Sequence, residues 1–307
     1  MKHLLDRVVR KLREQHFLRA CRAVLATPPC AVRDDGVILF SMIGTRVLLP
    51  YLVAAKSLHA NLGRGRFVIL DDGTLTADDR AVLAKHLGDP QIIAISQVDT
   101  GPCPRGGTWE RLLTILDLRA DAYVIQLDSD VVVLGPVDDV AEAIAQGRSF
   151  TLRGEAAAEI LPLVESAASA TAYMDPGRQH VQSAIELTMD QVKLPGRDDL
   201  RYVRGCSGFA GFAPSKQGRA LAEGFSAEAE RLVGKQRWAE WGSEQVTSNF
   251  VIANEPQAML LPYDRYLNFW NDPIGPAVRL VHFIGTFRYH RGAYVRAARQ
   301  AMARLRG

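Results

Sequence analysis

The chain has 307 residues, 48% hydrophobic and 23% charged, a composition that suits one large soluble domain or two closely packed ones. A net charge of +3 is too small for a phosphate-tracking nucleic-acid binder, so nucleic acid is not expected as a partner. Cys21, Cys30, Cys103 and Cys206 form no CxxC pair, which argues against a zinc cluster or a disulfide framework and for a reducing cytoplasm. No run of about 18 apolar residues predicts a membrane span, and charges interrupt the first 25 residues too often for a secretory signal.

Residues 2–25 are basic, with Leu4, Leu5, Val8, Val9, Leu12, Phe17, Leu18 and Val24 at helical spacing. Such a helix either packs on the protein body or on a partner, or lies on an anionic membrane surface, at the inner face of the membrane. Thr27 to Cys30 then break it, so residues 1–31 are expected to form a helix and linker ahead of a main domain over 32–307. Apolar strands are predicted at 36–41, 66–70, 91–96 and 122–127. Helices alternate with them at 48–62, 75–87 and 109–118, the second starting at Thr76 with Asp79 three residues on. Continuously apolar strands alternating with helices indicate a parallel sheet covered on both faces.

Further along, helices are predicted at 137–146, 154–172 and 216–235, a strand after Ser207-Gly208, and a late strand at 280–284; the stretch 173–200 has mixed character.

The segment YVIQLDSDVVVLG is the most informative. Asp128 and Asp130 sit at i and i+2 of an extended chain, so their carboxylates point the same way. Placed together they repel one another unless a cation lies between them, and hard oxygen ligands favour Mg²⁺ or Mn²⁺, which completes its shell with phosphate. Ligands of open α/β sheets bind at the carboxyl ends of the strands, where this turn falls.

An apolar strand ending in LDSDVVV resembles the DxD motif of GT-A glycosyltransferases, especially retaining family eight. LVAAKSL followed by RFVILDDG, SGF at Ser207–Phe209, and HFIGTFR at His282–Arg288 are similar to other motifs of that family and occur in its order. The resemblance covers most of residues 36–290. It implies a GT-A, Rossmann-like mixed sheet with helices on both faces. It also implies transfer of a hexose from a nucleoside-diphosphate sugar, a UDP-sugar first among them, to a saccharide, lipid-linked or protein acceptor with retention. By the same resemblance Asp128, Asp130 and His282 hold Mn²⁺ or Mg²⁺, and Arg288 stands where the family has a phosphate-binding lysine. Arg111 contacts the donor sugar, Glu244 accepts from its hydroxyls, and Gln245 lies beside the anomeric carbon. Ser41, Met42, Asp72, Ser207, Gly208 and Gly285 complete the substrate set.

The chain departs from the family pattern in two places. FSMIGTR lacks the acidic residues that usually end the first strand, so the base is held differently, by backbone at Ser41 to Gly44. Cys206 replaces an asparagine. Two other enzyme readings compete. VILDDGT is similar to a phosphatase signature, but Leu70 stands where its nucleophilic aspartate belongs. A sugar nucleotidyltransferase should carry a Gly-rich basic loop, and SMIGTR offers one glycine and one arginine. A non-catalytic nucleotide-sugar-binding protein of the same fold is the alternative outside enzymes.

Overall fold

A computed structural model describes residues 2–173 and 180–306. Its strands, in chain order, are β1 (Val37–Ile43), β2 (Arg66–Asp71), β3 (Gln91–Ala94), β4 (Tyr123–Leu127), β5 (Val131–Val133) and β6 (Phe150–Arg153). There follow β7 (Leu161–Pro162), β8 (Arg201–Tyr202), β9 (Gly205–Phe212), β10 (Met259–Leu260), β11 (Tyr266–Asn268) and β12 (Leu280–His282). Seven form a mixed sheet in the order β10-β6-β9-β4-β1-β2-β3, three form a small sheet β11-β12-β5, and β7-β8 make a ribbon. By internal contacts the chain divides into two compact units. One comprises Met1–Ile95, Ile125–Glu142 and Pro262–Gly307, the other Ser96–Val124 and Ala143–Leu261.

In the first unit β1 pairs in parallel with β2, and β2 with β3. β1 and β2 are apolar and buried nearly throughout, as expected of parallel strands covered on both faces. The crossover helix Leu48–Leu62 is buried over most of its length and ends at Gly63, whose φ of 74° only glycine adopts cheaply. The helix Ala77–Leu87 starts at the predicted Thr76, with a full capping box between Thr76 and Asp79.

The first helix runs Lys2–Cys21 and continues as a 3-10 turn over Arg22–Ala26. Its apolar stripe is only partly used. Phe17 and Val24 are buried, whereas Val8 and Leu12 are 48% and 60% exposed. The side chains of Leu4 and Leu5 lie outside the described residues. The last helix, Ala293–Arg304, runs beside it: Phe17 stacks on Tyr294 at 3.7 Å between ring centres, and Arg306 donates to the Ala23 carbonyl at 3.2 Å. No described helix is long and apolar enough to cross a membrane.

In the second unit β6 pairs antiparallel with β9, with a shift in register between Thr151 and Leu152, and parallel with β10. Gly211 lets Phe150 pack directly on the β9 backbone, since a Cβ there would lie 2.2 Å from its ring. The helix Ser243–Ala253 is buried along nearly all its length, with Phe250 stacked on Phe225 at 4.0 Å. Arg119 and Glu255 form a buried ion pair at 2.8 Å.

Several expectations need correction here. The Ala-rich stretch 154–172 is helical only from Leu163 onward. Ahead of it, Gly154 donates to the Arg204 carbonyl at 3.0 Å, and Arg153 is paired with Glu159 at 2.7 Å and with the Ala158 carbonyl. These tertiary bonds override alanine's helix propensity. The predicted helix at 216–235 begins only at Ala220, and β6 falls where no strand was expected. Within 173–200 the structure has a short helix, Val181–Glu186, while residues 174–179 lie outside the described residues.

Candidate functional site

The acidic turn sits at the carboxyl end of β4, as the sheet rule requires. Val131 donates to the Asp128 carbonyl at 3.2 Å, which closes the turn, and the chain enters β5. β5 pairs antiparallel with β12 in a register that sets Val131 opposite His282, while Phe283 donates to the Asp130 carbonyl at 2.9 Å. This pairing places the imidazole against the carboxylates across about 150 residues of sequence. Ligand atoms of Asp128, Asp130 and His282 lie within 4.8 Å of one another.

Asp130 is buried, and its Oδ1 lies 3.0 Å from His282 Nε2 while Oδ2 accepts from Arg288. Burial alone would push its pKa up. His282 and then Arg288 outweigh that and hold it below the usual carboxylate range. The sequence argument from repulsion is therefore incomplete, because two side chains of the protein itself oppose the charge on Asp130. Arg288 is further fixed by donating from Nε to the Phe283 carbonyl at 2.8 Å.

His282 has a partner that the sequence did not suggest. Asn268, opposite it on β11, places Oδ1 3.0 Å from Nδ1. An amide oxygen only accepts, so Nδ1 carries a proton, and it is a second proton, on Nε2 toward Asp130, that gives the ring the charge opposing the carboxylate. Loss of that Nε2 proton, with Nδ1 still held by Asn268, leaves the lone pair that an imidazole offers to a metal. Two carboxylates and one imidazole are a fitting donor set for Mn²⁺ or Mg²⁺.

Tyr294 supports the turn from behind. Its hydroxyl donates to the Ser129 carbonyl at 3.3 Å, and its ring stacks on Phe283 at 4.3 Å.

Other predicted residues of this unit stand as follows. Ser41 is buried in β1, and its hydroxyl donates to the Leu127 carbonyl at 2.7 Å, so its visible role is to tie β1 to β4. Met42 is half-buried. Asp72 is exposed in the turn after β2, accepting from the Thr74 N–H at 3.0 Å and its hydroxyl at 2.6 Å. Gly44 lies against this turn, where a Cβ would fall 2.2 Å from Asp72. Gly285 has a φ of 46° and starts the 3-10 turn Gly285–Phe287 that leads to Arg288.

The second unit contains a separate cluster. Arg111, in the first turn of the helix Trp109–Leu118, is buried and donates from one terminal nitrogen to Glu244 Oε2 at 2.8 Å and Ser207 Oγ at 3.1 Å. Asp117, on the same helix, is engaged by Arg219 at 2.6 Å. Glu244 also accepts from Thr108 Oγ1 at 2.9 Å. Gln245 Oε1 accepts from the Ser207 N–H at 3.3 Å, and its amide nitrogen donates to Gln182 Oε1 at 3.2 Å. Gln182 in turn donates to Glu186 at 2.9 Å, a buried carboxylate that Tyr202 and Arg204 also engage. Burial raises the pKa of Glu186 despite Arg204. Gly208 follows Ser207 in β9, and both are buried. Thus Arg111, Ser207, Glu244 and Gln245 lie in one hydrogen-bonded cluster, which Gln182 and Thr108, not singled out in the sequence, also join.

The alternating α/β order, the mixed seven-stranded sheet and the acidic turn at its central strand define the GT-A fold of glycosyltransferases. No protein-family profile and no curated protein sequence matches the chain. Solved structures do. The bifunctional glycosyltransferase WbbM matches at a TM-score of 0.51 and 10% identity, over 90% of this chain and 52% of that one. An active-site mutant of LgtC matches at 0.51 and 14%, over 87% and 95%. The apo form of the glycosyltransferase GlyE from Streptococcus pneumoniae TIGR4 matches at 0.51 and 13%, over 88% and 61%. These are glycosyltransferases of the family-eight type that the motifs resemble, and at such identities the likeness is one of fold.

Proposed function

We propose that the chain is a metal-dependent glycosyltransferase that moves a hexose from a nucleoside-diphosphate sugar, UDP first among the nucleotides, to a saccharide, lipid-linked or protein acceptor with retention. Residues 32–307 would form the transferase body, acting in the cytoplasm. The observation that carries this reading is the Asp128–Asp130–His282 triad, with Asn268 fixing the imidazole. When bound there, Mn²⁺ or Mg²⁺ supplies charge neutralisation for a departing diphosphate. Arg288 brings a second, permanent cation with a forked donor set suited to phosphate oxygens.

Recognition of the transferred sugar falls to Arg111, Ser207, Gly208 and Glu244. Hydrogen bonds among these buried groups fix the direction in which they would meet sugar hydroxyls. Gln245 is assigned beside the anomeric carbon, where its amide oxygen favours developing positive charge. Asp72, Gly285 and the backbone at Ser41 and Met42 are assigned to the nucleoside and diphosphate.

The test is calorimetric titration of UDP, GDP, CDP and ADP into the protein, with and without Mn²⁺. Binding of one nucleotide only when Mn²⁺ is present is expected, together with its loss in Asp130→Ala and His282→Ala. Absence of nucleotide binding under every condition refutes the proposal.

A further inference from the structure

The charge of this chain is unevenly distributed. Residues 2–26 and 288–306 contain 13 of the 37 lysines and arginines but only two of the 34 acids, so they carry a net +11 and the remainder −8. The fold brings the two segments together, since the first and last helices lie side by side through Phe17 and Tyr294 and through Arg306 and Ala23. Eleven of the basic side chains in these segments are exposed. One of the two acids, Glu14, is ion-paired with Arg46 at 3.0 Å, which leaves the cations largely unopposed.

Two grooves flank the first helix. One, of about 430 Å³, is lined from both segments and includes Arg13, His16, Tyr289 and Arg291. The other, of about 360 Å³, includes Arg19, Arg22 and Arg46. Val8 and Leu12, one helical turn apart, stand exposed among these cations, and Leu25 is 40% exposed at the far end.

We propose that the first and last helices together form one docking face for an anionic membrane, with lipid phosphates seated in the arginine-lined grooves and Val8 and Leu12 entering the acyl boundary. Clustered cations supply attraction to any polyanion. Exposed aliphatic side chains among them add a gain that lipid provides and a nucleic-acid backbone does not. The contact is peripheral, because no described helix can span a bilayer. It does not depend on the transferase reading, since partition is measured without any donor.

The experiment is co-sedimentation of the full chain with vesicles of phosphatidylcholine alone or mixed with phosphatidylglycerol, at low and high salt. Binding only to the mixed vesicles, and release by salt, is expected. Each basic residue near such a surface changes partition about fivefold, so the variant Arg13→Gln, Arg19→Gln, Arg22→Gln, Arg291→Gln should lose more than a hundredfold. Val8→Ser with Leu12→Ser should weaken binding without altering its salt dependence. All six positions are exposed, and an unchanged melting temperature verifies that the variants fold. Equal partition onto neutral vesicles, binding unaffected by the four arginine changes, or tighter binding to a DNA duplex than to the anionic vesicles would each overturn the proposal.

Discussion

Asn268→Leu tests the metal site through a residue that would never touch the metal. The asparagine's Oδ1 is the partner that keeps the proton of His282 on Nδ1, at 3.0 Å in a buried setting. Leucine is nearly isosteric but accepts no hydrogen bond, so the N–H is left buried without its partner, at a cost of about 1–3 kcal/mol in folding stability. The imidazole also loses the restraint on its tautomer and ring orientation. Loss of such an outer partner typically lowers metal affinity about 10- to 100-fold, or about 1.4–2.7 kcal/mol. Asn268→Asp keeps an acceptor in place and should restore affinity to within a few-fold. Calorimetry with Mn²⁺ in the presence of the preferred nucleotide reads the affinity, and urea denaturation reads the stability. If Asn268→Leu binds Mn²⁺ like the unmodified protein while His282→Ala does not, the asparagine does not orient the ligand and the reasoning fails.

Three further outcomes follow from the geometry. Arg111→Met leaves the Glu244 carboxylate buried without its 2.8 Å cation and should cost about 3–5 kcal/mol in urea denaturation, whereas changing both residues to apolar ones should cost less. Gln182→Leu removes the acceptor for the Gln245 amide, so kcat should fall with little change in KM. Adding it to Gln245→Ala should do no further harm, and additive losses would show that the two act independently. Asp79 accepts from Thr45 at 2.5 Å and from Thr76 at 2.8 and 2.9 Å; burial acts upward on its pKa, but these bonds hold it below the usual range. Its stabilisation is therefore present at neutral pH and lost as pH falls through the folded pKa, so Asp79→Asn should be less stable by about 1 kcal/mol at pH 7, with the gap closing below about pH 4 in thermal melts.

Much of the first half was legible because its signals are local. β1, β2 and β4 are short, mostly apolar and bounded by turns, and Thr76 with Asp79 marks a helix start by a bond three residues long. The helix expected across 154–172 shows the limit of such signals. Alanine content favours helix in isolation, but Gly154 is held by Arg204, fifty residues away, and no window of sequence contains that bond. The same holds for β6 and β10, whose pairing joins residues about 110 apart in strands of four residues or fewer.

The candidate site divides along the same line. Asp128 and Asp130 were readable because they are two residues apart, although what relates them is a turn closed by Val131 and not the extended chain expected. His282 was readable only through the order of motifs, because the register of β12 against β5 is what brings it to them. A shift of one residue in that register would turn His282 to the opposite face and leave the carboxylates without it. The apolar run Val131–Val133 is thus part of the site: its burial pins the strand, and the strand pins the histidine. Asn268 and Gln182 lie one step further out, each defined by contact with a residue already placed across a strand pair or a helix packing. Polar partners of that kind carry no pattern of their own in the sequence, which is why folding had to be known before they could be found.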